Sequence, residues 1–210
     1  MKKAVFKGST LLYPLPSVMV SCGRGDEANI ITVAWTGIIN SEPPMTYVSV
    51  RPERFSHHLL EKEMEFVINI PGEDLTFETD FCGCTTGAKI NKWKETKLSK
   101  MPATQLACPM IEECPVNIEC RVTEIKRLPS HDMFIAEIVA VNADESLLNE
   151  NGKLELEKAS LLALVHGGYH AVSKRSLGNM GYSVMKPSTK KRLRKEGKYV
   201  GGKAPHKKEE

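Results

Sequence analysis

The stretch Asn29–Leu60, NIITVAWTGIINSEPPMTYVSVRPERFSHHLL, constrains the fold more than any other part of the chain. Two strand-like runs are joined by a Pro-containing turn, and the second empties into Arg-Pro-Glu-Arg-Phe-Ser, where a helix begins. Thr46–Val50 alternates and is rich in β-formers, which predicts a strand. Pro52 lacks a donor and ends regular pairing. Ser56 suits an N-cap, because its oxygen can accept an N–H one turn into the helix. Phe55 and Leu60 fall at the positions of a hydrophobic staple. The helix is expected to run from His57 to about Met64. Two guanidinium groups and a hydroxyl then meet the first free N–H groups of a helix, whose partial positive charge adds to theirs, and this suits a phosphate. The strands before it offer Asn, Trp, Thr and Ser side chains to a flat ring system. A phosphate seat beside a planar-ring seat points to a nucleotide-like cofactor. A solvated turn that carries arginines by chance has the same local pattern.

Charge divides the chain. Lys186–Glu210 contains ten Lys/Arg and three Asp/Glu, a net of +7 within a total of +3, so residues 1–185 carry −4. The expectation is one folded domain over 1–185, long enough for a proper core, and a basic, flexible tail over 186–210. The apolar fraction of 41% fits a globular protein. No apolar run approaches membrane-spanning length. The start MKKAVFKGSTLLYPLP is interrupted by Lys7, Gly8 and prolines, unlike an export signal. A cytoplasmic protein without a membrane partner is expected, and its six cysteines read as thiols. Cys82 and Cys84 form a C-x-C without a second pair at zinc-site spacing, and His57-His58 point about 100° apart on a helix. No metal site is therefore predicted.

Strands are expected at Val18–Cys22, Ile30–Gly37, Met45–Arg51, Phe66–Ile70, Val116–Arg127, Met133–Asn142 and Leu161–His166. Helices are expected at His57–Met64, Glu73–Phe81, closed by Gly83, and Lys89–Glu95. Strands outnumber helices and cluster as hairpin-like neighbours, without the alternation of a doubly wound sheet. The fold class is mainly β with α+β character, a barrel with short covering helices. A G-x-G-x-x-G is absent, and Gly83–Lys89 has the wrong glycine spacing for a P-loop.

Four stretches stand out together: NIITVAWTG with VSVRPERFSHHLL; FVINIP with CGCTTGAKINKW; ECPVNIECRVTEI with HDMFIAEIVAV; and LLALVHGGYHAV. They resemble the flavin reductase-like family, whose fold is the FMN-binding split β-barrel, and its flavoredoxin-type branch in particular. They occur in the family's order across most of residues 15–175. The resemblance implies a homodimer with one FMN per subunit. Asn29, Trp35, Thr36 and Gly37 would line the isoalloxazine, with backbone near Ser49 and Val50. Arg51, Arg54, Ser56 and His57 would hold the phosphate. Cys82 and Lys92 would approach from the following loops, and Tyr169 and His170 from the C-terminal part, across the interface in one arrangement. His131 matches a histidine implicated near the flavin or nicotinamide and is the one catalytic candidate. Ala136 and Pro129-Ser130-His131 depart from the family's Gly and Gly-Asp-His, which weakens a nicotinamide site.

The function implied is an FMN redox protein passing electrons from a reduced small-molecule or protein donor, NAD(P)H among them, to an acceptor or free flavin. The reductase reading is an NAD(P)H:flavin oxidoreductase. The alternative is a non-enzymatic carrier with fixed FMN. Two other classes stay open: a thiol redox sensor using Cys82 and Cys84, and a nucleic-acid-binding role for the basic tail, which has only one aromatic, Tyr199. Each residue also has a purely structural reading: Trp35 as a core or interface aromatic, Asn29 as a turn cap, Lys92 as a solvated helix residue, His131 and His170 as loop histidines.

Overall fold

The computed structural model describes residues 2–201. It falls into two compact units, one ending at Val172 and one beginning at Ser173. The division lies before the change in charge at Lys186.

The first unit is built on a seven-stranded antiparallel sheet. Its strands are β2 (Val18–Cys22), β3 (Asn29–Val33), β4 (Thr36–Ser41), β5 (Pro44–Val50), β6 (Glu65–Ile70), β9 (Val116–Arg127) and β10 (Asp132–Ala143), in spatial order β3-β2-β6-β9-β10-β5-β4. Two small sheets flank it. One orders β1 (Leu15–Pro16), β11 (Leu162–Val165) and β12 (Gly168–Ala171), and the other pairs β7 (Lys100–Met101) with β8 (Met110–Ile111). Three short helices accompany them: α1 (Phe55–Glu63), α2 (Thr76–Cys84) and α3 (Lys92–Thr96).

Side-chain alternation sorts the apolar residues into separate layers. Val18, Val20 and Cys22 of β2, with Ile31 and Val33 of β3, share one cluster with Val48 and Val50 of β5, Phe66, Ile68, Phe134 and Leu60 of α1. Strands distant in the sheet order thus meet in one core, because the sheet curls until β3 faces β5. No ladder joins those two strands, so the barrel is split. Met19 and Ile30, one residue out of phase, pack outward against Leu75 and Cys82 beneath α2, Trp93 of α3, and Ile111. β6 is buried on both faces, with Val67 packed against Cys108 and Met110. Among the described residues no helix is long and apolar enough to cross a membrane.

Several expected boundaries change. Ile30–Gly37 is two strands with a break at Ala34–Trp35, because β3 leaves β2 at Val33 and β4 pairs with β5 from Thr36. α1 begins at Phe55 with Arg54 as its N-cap, so Ser56 lies inside the helix and does not cap it. Gly83 does not close α2, which continues to Cys84. A Cβ at Gly83 would stand 3.2 Å from the Thr32 Cβ, so the glycine serves close helix–strand packing. The third helix is shifted to Lys92–Thr96, opened by Asn91, whose side chain accepts from the Lys94 amide at 3.1 Å.

In the second unit, Pro187–Lys195 forms α4. Proline suits a first helical turn, where its missing donor costs nothing. This helix lies within the tail expected over 186–210, of which residues 202–210 lie outside the described residues. Lys190 and Arg194 stand over the Tyr199 ring at 5.2 and 5.1 Å, so the tail's one aromatic is engaged by its own helix.

Candidate functional site

The break between β3 and β4 opens a cleft. Ala34 and Trp35 belong to neither neighbouring ladder. The Trp35 carbonyl accepts from the Ser49 amide at 2.9 Å, which ties the break to β5. A cavity of about 270 Å³ lies there, walled by Thr32, Ala34, Trp35, Val50, Arg51 and His131, with Ser49 at its side. Trp35 is 38% exposed, unusual for a core indole. Its ring meets that of His131 at 4.4 Å and 35°. Burial, and next the Arg51 charge, hold His131 below its ordinary pKa, so it is a neutral imidazole at neutral pH.

A second cavity, about 190 Å³, shares Ile31 and Arg54 with the first and is walled further by Asn29, Ser56, Thr86 and Lys92. The start of α1 faces it. The Arg54 amide donates to the Arg51 carbonyl at 3.0 Å and the His57 amide to the Arg54 carbonyl at 2.9 Å. Between them, the amides of Phe55 and Ser56 have no acceptor among the described residues. These are the unsatisfied donors every helix start carries. The Ser56 hydroxyl accepts from Asn29 Nδ2 at 2.8 Å, and both side chains are buried. The Arg54 guanidinium donates to the Gly83 carbonyl, which fixes it over the same space. Arg51 is exposed and paired with exposed Glu53 at 3.6 Å.

Lys92 enters from the first turn of α3. It is buried, and its Nζ donates to the carbonyls of Ile30 and Cys82 at 2.7 Å each. An ammonium has three donors, so one is left for the cavity. Burial lowers its pKa to about 8, with Arg54's field acting the same way. The loop Thr85–Gly87 closes the cavity. A Cβ on Gly87 would stand 2.6 Å from Phe55 Cδ1, so only glycine lets the loop approach.

The two cavities bring together Asn29, Trp35, Ser49, Val50, Arg51, Arg54, Ser56, Lys92 and His131. They do not bring in the other expected residues. The Thr36 hydroxyl donates to the Tyr47 carbonyl, and Gly37 lies against the Tyr47 ring. His57, expected to hold the phosphate, points away: Nε2 meets Asp132 Oδ2 at 2.7 Å and Nδ1 lies 3.4 Å from Glu61. The Cys82 thiol faces the core beneath α2, and only its carbonyl reaches the site, through Lys92. Tyr169 and His170 sit on β12, where the Tyr169 hydroxyl donates to Asp80 at 3.2 Å. Burial pushes Cys82 up to about 11 and also raises exposed Cys84, where Asp80 adds to it, so neither thiol is activated.

Sequence reasoning missed Thr32, Ala34 and the loop Thr85-Thr86-Gly87. The loop's signal was a glycine after two hydroxyl residues, set aside because it fails P-loop spacing. His57, Glu61 and Asp132 place ligand atoms within 4.8 Å of one another. The Arg127 guanidinium bonds both carboxylates and supplies the positive charge a cation would bring.

Comparison with known proteins agrees with this architecture. The family described as "Flavin reductase like domain" matches residues 10–173. An uncharacterized protein of Pyrococcus abyssi is 32% identical over 72% of this chain and 86% of its own length. Flavoredoxin of Desulfovibrio vulgaris superposes with a TM-score of 0.78 at 29% identity, covering 85% of this chain and 97% of that one. Flavoredoxin from Methanosarcina acetivorans gives 0.79 at 27% identity, covering 88% and 100%. The split barrel, its cleft and these matches have one conclusion: the chain belongs to the flavin reductase-like family, on its flavoredoxin-type branch.

Proposed function

We propose that this protein binds FMN in the cleft and moves electrons through it. The observation that carries the reading is the pair of adjoining cavities, one beside Trp35 and the other at the start of α1, lined by Arg54 and Lys92. The residues fit the group. The free Phe55 and Ser56 amides, Arg54 and the third donor of Lys92 suit a phosphate, which needs several strong donors around it. The ladder-free backbone at Ala34–Trp35 suits the polar edge of a flavin ring, while the Thr32 hydroxyl is held by the Thr79 carbonyl. When bound, FMN supplies the hydride and single-electron chemistry. The chain's own part is to hold the ring against Trp35, to neutralise the phosphate and to present a neutral His131 at the cleft wall.

In the form of this reading favoured here, the protein is a carrier that keeps its FMN. Its donor and acceptor would be a small molecule or protein docking at the open side of the cleft. The competing reading is an NAD(P)H:flavin oxidoreductase. Rapid mixing of the FMN-loaded protein with NADH or NADPH separates the two: fast bleaching of the flavin selects the reductase, and its absence with both nucleotides excludes it.

The protein is further proposed to be a homodimer. Edge strand β4 exposes Ile38 (71%) and Ile39 (48%), and an apolar edge of this kind invites a partner. Tyr169 and His170, which line neither cavity of their own chain, would then serve the partner's. Sedimentation analysis tests this, and a monomer at micromolar concentration would end it.

A further inference from the structure

His57 and Asp132 line neither cavity, yet their side chains are buried and meet at 2.7 Å. The bond joins the two halves of the site. His57 follows Ser56 at the start of α1, where the anion seat lies. Asp132 follows His131, whose ring packs at a tilt against Trp35 in the cleft, and it stands directly across the ladder from Val50 of the cleft wall. Arg127 bonds both Asp132 and Glu61, so the clasp spans β9, β10 and two successive turns of α1. Phe134 packs edge-on to the imidazole at 5.3 Å and 73°. Glu61 and Arg127 are the other charged groups facing His57.

We propose that His57 and Asp132 are positioning residues of the flavin site, holding the anion seat in register with the ring cleft. The inference rests on the flavin reading above. Phosphate and ring belong to one ligand, so their seats must keep one separation. Binding through both seats gains only when both engage together, and a small shift of α1 forfeits that gain. A single hydrogen bond contributes only modestly to stability on its own. Its location between the two seats gives it a use that packing would not.

The test compares FMN with riboflavin, which has the ring but not the phosphate. Dissociation constants for both are measured by flavin fluorescence on wild type, Asp132→Asn, His57→Leu and His57→Gln, with the melting temperature of each. Asp132→Asn and His57→Leu are expected to weaken FMN by about tenfold or more while riboflavin changes by less than about twofold, the scale of one charged hydrogen bond. His57→Gln keeps a donor toward Asp132 and should recover part of the loss. Equal weakening of both ligands, or no change in either, overturns the proposal. Should His57→Leu fail to fold, the isosteric Asp132→Asn carries the same comparison. Failure of wild type to bind FMN is a distinct result: it removes the flavin reading first and this inference with it.

Discussion

Gly87 approaches Asn29 so closely that a Cβ on the glycine would stand 2.5 Å from the Asn29 Oδ1. Asn29 in turn donates to Ser56 at the start of α1. The loop, the strand and the helix therefore meet at the Asn29 side chain. Gly87→Ala forces either the loop or the Asn29–Ser56 bond to move. Overpacking of this kind costs about 1–3 kcal/mol. The variant should melt at lower temperature and bind FMN more weakly. An unchanged melting curve together with unchanged FMN affinity would refute the tight closure of the seat.

Lys92 makes the site sensitive to pH in two opposite ways. Its folded pKa of about 8 lies below the ordinary 10.5, first because it is buried. The unfolded chain therefore holds one more proton between those values, and the stability of the ligand-free protein rises with pH across that window. Phosphate binding favours the charged amine, so FMN affinity should fall as pH rises above about 8. Lys92→Met should flatten the decline and weaken FMN at neutral pH by about tenfold, the loss of one charge-assisted bond. A wild-type affinity that does not vary from pH 7 to about 9.5 would show that Lys92 does not face the phosphate.

Trp35 separates stability from ligand effects. At 38% exposure its indole contributes little to the core. Trp35→Ala should cost less than about 1 kcal/mol of stability. It should nevertheless shift the absorption spectrum and midpoint potential of bound FMN, which respond to the ring's neighbours. A large loss of melting temperature with an unaltered flavin spectrum would make Trp35 a packing residue only.

Much of the barrel was legible because its strands are short β-rich runs bounded by turn residues. Val18–Cys22, an apolar run buried throughout, and Val116–Arg127 match β2 and β9 residue for residue. The break at Ala34–Trp35 was not legible. Apolar character continues through it, and it arises where the chain changes partners from β2 to β5, a tertiary event without a local marker. His57 was grouped with the phosphate ligands by the family resemblance. One helical step of about 100° turns it toward β10 instead. Its true partners, Asp132 and Arg127, are remote in sequence. The same distance hid the role of Glu119, a fully buried carboxylate accepting the Thr104 and Gln105 amides at 2.7 Å each and so fastening the loop after β7 to β9. Arg54 and Ser56 stood together at the strand–helix junction, but Lys92 entered only through the family resemblance, and its own reading as a solvated helix residue gives way to a buried side chain. The seat's closing loop at Thr85–Gly87 was visible only once α2 placed it against Phe55.

The central claim is a phosphate seat joined to a ring slot, and one titration tests it most directly. FMN and riboflavin are each titrated into wild type and into the double variant Arg54→Ala/Ser56→Ala, following flavin fluorescence. Wild type should prefer FMN by about a hundredfold, the combined worth of two charge-assisted bonds, and the double variant should bind both flavins alike and retain the ring site. Equal affinity of wild type for the two flavins, or FMN binding untouched by the double substitution, would contradict the account.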